Sequence, residues 1–352
     1  MLRTLTRPAS ITGLIALLII LLMAVFPTQT LESSLRGLSI WWQVLFPALF
    51  PFFVISELLL GFGIVHFFGK LLDPLMRPLF RLPGIGSFVV TMGYVSGYPV
   101  GARLTAQLWE QGLVKRAEGE RLVAFTTTSD PIFLIGAVSV GFFHNAALAP
   151  LLAAAHYGGA FIIGLLMRFH DRHEPVTESP RRSQQRRSSR LVEATKAMHE
   201  ARLLDGRNLG KLLQDSIQSA LRLMIVVGGL VVFFSVVMEL LTRAGIVEAL
   251  AEGLRLLFGA VGLPPRLADA SIFGLFEVTL GARAAGEANT GLMHQAAVAA
   301  WILSWGGLSV HAQVVSLLSR TNLRYMPLMI ARLAHAFISV ALVYLLWGWL
   351  AP

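Results

Sequence analysis

Two short segments of this sequence combine glycines with isolated charged side chains in surroundings that are otherwise apolar. The first is Gly93-Tyr-Val-Ser-Gly-Tyr-Pro-Val-Gly-Ala-Arg103, and the second, about 180 residues later, is Glu277-Val-Thr-Leu-Gly-Ala-Arg283. A polar, helix-breaking segment that occurs twice in a membrane protein is typical of a binding site built from discontinuous helices. The pattern therefore predicts a site for a small solute or an ion.

Four polar breaks, two in each half of the chain, fall inside apolar surroundings. They are Ser96–Gly101, Thr126–Pro131, Glu277–Gly281 and Ser304–Gln313. At membrane depth such a break is tolerated only where protein or a water-filled cavity covers the freed backbone groups. We therefore expect the four breaks to meet near mid-membrane, where helix N-termini present N–H groups and side chains supply oxygen ligands.

Asp130 and Glu277 are the two carboxylates that these breaks carry into the membrane. A carboxylate at that depth is costly, so we predict that both coordinate an ion, couple to a proton or bind a substrate amine. The structural alternative is that Asp130 caps a half-helix and that Glu277 pairs with Arg103 or Arg283. The two arginines in turn can bind an anionic group, neutralise the carboxylates or extend to the membrane surface.

The other candidate ligands are hydroxyl, amide and imidazole groups in the same breaks. Tyr98 can stack on a ring or simply pack beside glycines, and a lone histidine such as His311 is more often a packing residue than a ligand. Glu57 and His335 are weaker candidates because each stands alone. The full set of further candidate ligands is Ser96, Tyr98, Thr127, Thr128, Ser129, Thr279, Ser304, Ser309, His311 and Gln313.

A second group of residues is expected to shape the hairpins and breaks. Glycines at four-residue spacing also form a close helix-packing face. These shaping residues are Gly93, Gly97, Pro99, Gly101, Pro131, Gly281, Gly306 and Gly307.

The composition places these groups in a membrane protein. Of the 352 residues, 55% are hydrophobic and 14% are charged, whereas a soluble domain is about 25% charged. Five apolar runs are long enough to cross or nearly cross a bilayer. They are Ile11–Phe26, Val44–Leu60, Leu148–Met167, Leu221–Leu241 and Met326–Leu350.

The charge pattern and the absent motifs exclude several classes of function. The net charge of +9 is concentrated in one loop and beside apolar runs, as expected for cytoplasmic flanks, so we predict a lipid bilayer as partner and no nucleic acid. The sequence has no cysteine, no phosphate-binding Gly-Lys loop, no His-Glu-x-x-His motif, no dinucleotide fingerprint and no nucleophile elbow. We therefore predict no enzyme, no cofactor and no metal site.

The apolar runs and breaks predict an all-α polytopic membrane protein with about seven transmembrane spans and two re-entrant helical hairpins. The predicted organisation is a first span and interfacial connection at 1–39, a first repeat at 40–168, a basic cytoplasmic linker at 169–211 and a second repeat at 212–352. A cleaved signal peptide is the alternative for the first run, but no small-x-small cleavage site follows it. The linker has ten Lys/Arg and six Asp/Glu, a composition that predicts disorder.

Short identities at a nearly constant offset indicate that the second half repeats the first. Gly101-Ala-Arg103 matches Gly281-Ala-Arg283, and Gly63-Ile-Val65 matches Gly245-Ile-Val247. The first hairpin region has seven Lys/Arg, and the equivalent region has four, outnumbered by five Asp/Glu. We therefore predict that the repeats have inverted topology, with the N-terminus and the linker cytoplasmic and the C-terminus outside a cell membrane.

Four motifs resemble the YlbJ-type sporulation integral membrane proteins, which are grouped with the nucleoside-recognition "Gate" domain. Three lie at the breaks or before one: Ser96-Gly-Tyr-Pro-Val-Gly-Ala-Arg-Leu-Thr-Ala-Gln107, Glu118-x-Glu-Arg-Leu-x-Ala-Phe125 and Gly306-Gly-Leu-Ser-Val-His-Ala-Gln313. The fourth is Arg324-Tyr-x-Pro-x-x-Ile-Ala-Arg332. The resemblance implies Gate-type repeats, a transporter-like superfamily and a role in forming the cortex of a heat-resistant spore. The resemblance does not identify a substrate.

The sequence thus leads to two hypotheses. The first is a secondary transporter or permease for sporulation, acting on a small molecule or ion through discontinuous helices. The second is a non-transporting scaffold that recruits cortex-building enzymes, with other sporulation membrane proteins as partners. A transporter requires polar groups that converge on a cavity, whereas a scaffold predicts breaks filled by mutual hydrogen bonds.

Overall fold

The computed structural model describes residues 8–174, 177 and 189–351, and all regular elements in these ranges are helices. The predicted all-α fold is confirmed. The chain opens with α1 (Pro8–Val25) and α2 (Pro27–Ile40), which meet at 105° where Pro27 begins the second helix. A π-helical turn joins α2 to α3 (Phe46–Gly61), and α4 (Ile64–Leu75) follows.

The first predicted hairpin is α5 (Gly86–Ser96) and α6 (Tyr98–Glu110), joined only by Gly97. Gly97 has φ +86°, which residues with a side chain rarely adopt, so glycine is required at this turn. Next come α7 (Arg116–Thr126), a non-helical break and a π-helical segment at Phe133–Phe142. The first repeat ends with α8 (Ala149–Met167).

The linker contains a helix, so the prediction of disorder was wrong for part of it. The helix α9 (Arg190–Asp205) is capped by the Ser189 hydroxyl, which accepts from the Val192 N–H, and it ends at Gly206 with φ +64°. Ala194 is fully buried where α9 packs against α4. The average composition concealed this helix, while residues 175–176 and 178–188 lie outside the described part of the chain.

The second repeat follows the same plan. Its first helix α10 extends 35 residues, beyond the predicted span at 221–241, because its N-terminal third continues toward the linker. The second hairpin is α12 and α13, and a helix broken at Gly306 follows as α14 and α15. The bounds are α10 (Leu209–Arg243), α11 (Ile246–Ala260), α12 (Leu267–Phe276), α13 (Val278–Glu287), α14 (Leu292–Trp305), α15 (Gly307–Leu318) and α16 (Tyr325–Leu350).

The surface is that of a multi-pass membrane protein. Four described helical segments are long and apolar enough to cross a bilayer, and the bent pair α1–α2 would make a fifth span. Exposed large apolar side chains cover α1 and α16, including Trp349 at 87% exposure, as expected for a lipid-facing surface. The predicted count of about seven spans stays a prediction. The four segments are Ala146–Met167, Leu209–Arg243, Leu292–Leu318 and Tyr325–Leu350.

The last helices of the two repeats, α8 and α16, pack against each other at the centre of the molecule. Gly159 makes this possible, because a Cβ atom there would lie 2.8 Å from the His335 ring. The rings of His156 and His335 stack with centroids 5.0 Å apart. These two histidines are 179 positions apart, so they also follow the spacing of the internal repeat.

Candidate functional site

The two hairpin tips, the end of the first break and the helix after the second break surround one cavity of about 100 Å³. The first hairpin tip contributes Ser96, Gly97, Tyr98 and Pro99, and the second contributes Glu277, Val278 and Thr279. The first break contributes Asp130, α15 contributes Ser309, Val310 and Gln313, and apolar side chains of α3 and α10 close the remaining wall. Residues that are far apart in the sequence, such as Ser96 and Gln313, therefore line one cavity.

Asp130 ends the first break and caps the helix that follows it. Its Oδ1 accepts hydrogen bonds from the N–H groups of Ile132 and Phe133, at 3.0 and 2.8 Å. The side chain is buried at 7% exposure and borders the cavity. The predicted capping role is present, and the second oxygen, Oδ2, lies toward Gly97, where an added Cβ would be 3.1 Å away.

Glu277 forms the tip of the second hairpin and caps α13. Its Oε2 accepts from the Leu280 N–H at 2.8 Å, and the side chain is 4% exposed. The predicted pairing with an arginine is wrong, because in the described part of the chain no basic side chain lies within 4 Å of this carboxylate. Arg283 pairs instead with Glu287 one turn further, at 2.7 Å. Arg283 is six positions after Glu277, so the helical repeat of 3.6 residues turns the two side chains to different faces.

In each repeat the hairpin tip meets the helix break through one carboxylate residue and one glycine. The two repeats differ in which of these segments carries the carboxylate. In the first repeat the tip supplies Gly97 and the break supplies Asp130. In the second repeat the tip supplies Glu277 and the break supplies Gly307, where an added Cβ would lie 3.1 Å from the Glu277 backbone. Because glycine has no side chain, the segment that carries the carboxylate can approach its backbone closely.

Three polar residues of the first break face away from the cavity into the protein. The Thr127 hydroxyl donates to the Val123 carbonyl, and the Thr128 hydroxyl donates to Gly93 at 3.4 Å. The Ser129 N–H donates to His156 Nε2 at 3.0 Å. All three side chains are buried at 1% exposure or less, and hydrogen bonds within the protein hold them.

Two candidates of the second break are also held inside the protein. His311 lies between the Tyr325 hydroxyl, 2.7 Å from Nδ1, and the Trp305 carbonyl, 3.2 Å from Nε2, which supports the packing interpretation. Ser304 lies 2.9 Å from His156 Nδ1. The break itself is narrower than the predicted Ser304–Gln313, because α14 continues to Trp305 and only Gly306 is outside a helix.

Gly306 and Gly307, like Gly97, have positive φ, at +87° and +73°, whereas Gly93, Gly101 and Gly281 act mainly by close packing. A Cβ at Gly93 or Gly101 would lie 2.6 or 2.5 Å from Thr126, so the first hairpin rests directly on the end of α7. A Cβ at Gly281 would lie 2.2 Å from the Gly274 Cα, which keeps the arms of the second hairpin in contact. Pro99 lies in the first turn of α6, and Pro131 follows Asp130 at the start of the next helical segment, where proline is tolerated.

Arg103 lies outside the cavity and lines an adjoining one of about 220 Å³. Glu57 borders the same space and accepts from the Ser219 hydroxyl at 3.2 Å, so it does not stand alone. The two cavities share Phe53, Ser96 and Leu223, which form the partition between them.

Sequence reasoning missed a buried polar network behind the cavity. Arg332 donates to His335 Nδ1 at 3.2 Å, and His335 Nε2 donates to the His156 carbonyl at 2.8 Å. His156 accepts from the Ser129 N–H and donates through Nδ1 to Ser304. These directions require both imidazoles to be neutral. Because His156 and His335 are separated by the offset of the internal repeat, the sequence contained a signal from which their contact could have been predicted.

A cluster at the N-terminal end of α7 joins the linker to the protein. Glu120, His170 and Asp171 place ligand atoms within 4.8 Å of one another, a spacing that suits a metal ion. The Arg324 guanidinium already occupies this cluster, since it donates to both Glu120 oxygens at 2.8 and 2.7 Å and also to Asp171. Burial raises the pKa of Glu120, but the hydrogen bonds from Arg324 and His170 outweigh it, so the pKa lies below the ordinary 4.5. We assign an ion-pairing role to the cluster.

Comparisons with known proteins agree with this architecture. Residues 42–161 and 224–345 each match the Gate family model, whose description is nucleoside recognition. The sporulation integral membrane protein YlbJ of Bacillus subtilis (strain 168) is 44% identical over 321 residues, which cover 91% of this chain and 78% of YlbJ. An uncharacterized protein of Alkalihalophilus pseudofirmus is 29% identical over 109 residues, which are 29% of this chain and 24% of that protein.

The fold is similar to that of a solved structure, CNTnw in an inward-facing substrate-bound state. The TM-score is 0.54 at 13% sequence identity, over 95% of this chain and 84% of that chain. Two matches to one family model agree with the internal repeat, and the fold is similar to that of CNTnw over 95% of this chain. The chain belongs to the Gate family and, within it, to the family of the sporulation integral membrane protein YlbJ.

Proposed function

We propose that this protein is a secondary transporter that moves a small solute or ion through the cavity between its four helix breaks. The observation that carries the proposal is that both hairpin tips, the end of the first break and the helix after the second break line one cavity that two carboxylates border. Discontinuous helices that meet in this way form the substrate and ion sites of many secondary transporters.

The charge of the cavity wall indicates the class of ligand. Asp130 and Glu277 border the cavity, and no Lys, Arg or His is among the described residues that line it. An anion would therefore meet two carboxylates without a basic partner, which is unfavourable at low dielectric. We infer that the ligand is a cation, or a molecule that presents N–H or O–H donors to the carboxylates, with Ser96, Tyr98, Thr279, Ser309 and Gln313 as further polar contacts.

The size of the cavity requires a change of shape during transport. Sites for organic ligands usually measure about 300–1,000 Å³, and this cavity measures about 100 Å³, which suits an ion or a few waters. A larger solute enters only if the partition at Phe53, Ser96 and Leu223 opens toward the adjoining cavity. Rigid-body movement of one repeat against the other, with inverted topology, would supply this opening on each side in turn.

We place this transport in sporulation, where it supports formation of the spore cortex and heat resistance. The relationship to YlbJ supports the setting, and no catalytic constellation in the described residues favours an enzyme. The second hypothesis, a membrane scaffold, has one supporting observation. Backbone groups at both breaks are hydrogen-bonded to side chains of the protein, since the Ser129 N–H donates to His156 and Arg332 donates to the Trp305 carbonyl.

Cysteine accessibility distinguishes the two functions, because the protein has no cysteine of its own. Ser96→Cys and Gln313→Cys place single thiols on the cavity wall, and a membrane-impermeant maleimide is applied to intact cells and to inside-out vesicles. Alternating access predicts labelling of each thiol from both sides. Labelling from neither side, in variants that still restore heat-resistant spores to a Bacillus subtilis strain lacking YlbJ, would favour the scaffold.

Two controls calibrate the labelling. Ser339→Cys is fully buried behind the cavity and should remain unlabelled from both sides. Ser319→Cys is exposed at the end of α15 and should be labelled from one side only.

A further inference from the structure

Arg332 is a fully buried cation between the helix breaks of the two repeats. It lies on α16 at 1% exposure. Its guanidinium donates to the carbonyls of Thr127, Leu303 and Trp305, the last two at 3.2 and 3.3 Å. Thr127 belongs to the first break, and Leu303 and Trp305 belong to the last turn before the second break. One side chain therefore bridges the corresponding ends of two helices from different repeats.

The charge of Arg332 is balanced by backbone groups. In the described part of the chain no carboxylate oxygen lies within 4 Å of the guanidinium, which contacts backbone carbonyls, His335 and the Tyr98 ring. The last four carbonyls of a helix lack intrahelical partners, and each helix C-terminus carries about half an elementary negative charge. Two such ends, those of α7 and α14, together match the single positive charge of the guanidinium.

The protein is shaped to admit this group. A Cβ at Gly306 would lie 3.2 Å from the Arg332 Nη2, and Gly306 has φ +87°, so glycine suits both the turn and the close approach of the guanidinium. The Tyr98 ring lies over the guanidinium at 5.7 Å, and His335 accepts one further N–H. Four of the five guanidinium N–H donors thus have partners.

Unwound carbonyls and the C-terminal ends of half-helices are the groups that coordinate free cations in secondary transporters. We propose that Arg332 is a tethered cation, which occupies the carbonyl-lined position between the two breaks so that no free cation binds there. The position takes one positive charge that donates several hydrogen bonds. A coupling cation, if the protein uses one, therefore binds at Asp130 and Glu277 instead. The occupancy of this position is independent of whether the protein transports a solute.

The proposal is tested by thermal unfolding of the purified protein, followed through tryptophan fluorescence. Arg332→Lys keeps a positive charge, whereas Arg332→Met keeps similar volume without charge. If a cation is required at the position, Arg332→Met unfolds at least about 5 °C below Arg332→Lys. Equal stability of the two variants, or greater stability of Arg332→Met, would overturn the proposal, because packing alone would then explain the side chain.

Chemical rescue provides the second measurement. Arg332→Ala leaves the carbonyls unpaired, and methylguanidinium chloride should raise its unfolding temperature relative to choline chloride at the same ionic strength. Wild type should show no such gain, nor should Arg283→Ala, which removes an arginine from a partly exposed pair with Glu287. If a folded Arg332→Ala protein gains nothing from methylguanidinium, the position does not select a cation and the proposal fails.

Discussion

At the scale of single residues, Asp130 separates a structural task from a chemical one. One oxygen, Oδ1, accepts both capping hydrogen bonds, so the cap requires an acceptor but not a charge. The charge and the second oxygen are then available to the cavity. Glu277 also caps a helix with one oxygen, since its Oε2 accepts a hydrogen bond from the Leu280 N–H at the start of α13.

Asp130→Asn should therefore preserve the fold and remove the function. The asparagine oxygen keeps the two N–H bonds, so the unfolding temperature should stay near that of wild type, whereas Asp130→Ala should lose about 1 kcal/mol with the cap. Heat-resistant spore counts in a complemented strain without YlbJ should fall for both variants. Full rescue by Asp130→Asn and by Glu277→Gln, at normal protein levels, would contradict the role of the carboxylates.

The sequence indicated Asp130 and Glu277, because each is a carboxylate at a helix break, but it did not separate them from Thr127, Ser304 and His311, which lie at or near the same breaks and do not line the cavity. Arg103 and Arg283 were less predictable, since a long side chain on the next turn can point to either face, and both point away from the cavity. Arg332 was hidden for a different reason. Its partner Thr127 is 205 positions away, and nothing local distinguishes an arginine that meets carbonyls from one that reaches the membrane surface.

At the scale of elements, the first hairpin is held against α7 by glycine contacts. Gly101→Ala should destabilise the protein by about 1–3 kcal/mol, because the new Cβ would lie 2.5 Å from the Thr126 hydroxyl oxygen and 2.7 Å from its carbonyl oxygen. The matched control is Gly229→Ala, in α10, where no atom lies within 4 Å and alanine favours the helix. Thermal unfolding that drops equally in both variants would contradict the packing contact.

The elements themselves were the part most accessible from sequence. Glycine and proline mark both hairpins, and apolar length marks α8, α10 and α16. The helix α9 was not predicted, because basic and polar residues dominate its segment and its stability depends on a cap and on packing against α4. The composition of a segment describes only the segment itself, whereas the stability of a short polar helix depends on the element against which it packs.

The cluster at the start of α7 makes part of the stability dependent on pH. The lowered pKa of Glu120 means that its ionised form is favoured by folding, so its contribution is present above pH 4.5 and is lost as the pH falls through the lower folded-state pKa. Wild type should unfold at a higher temperature than Glu120→Gln near pH 7, and the gap should close below pH 4.5. A gap that persists unchanged at pH 4 and below would exclude the ion pair with Arg324 as its cause.

At the scale of the whole molecule, the two repeats contact each other through buried side chains. His335 stacks on His156 at the central crossing of α8 and α16, and their spacing of 179 matches the repeat. A second connection runs from the π-helical turn after α2 to α10, where the Trp41 indole N–H donates to the Met224 carbonyl at 2.9 Å. The short identities in the sequence predicted the duplication, but only the structure shows that equivalent histidines meet at its centre.

These contacts between the repeats predict that the two halves associate without a covalent connection. Residues 1–180 and 181–352, co-expressed as separate chains with a tag on one, should co-purify and restore heat-resistant spores, because His156, Trp41 and Thr127 of the first half all bind the second. Gly159→Leu in the first half is the control, since its side chain would collide with His335 and should reduce the recovery. Separate elution of two halves that are each inserted in the membrane would mean that the linker, rather than the central packing, holds the repeats together.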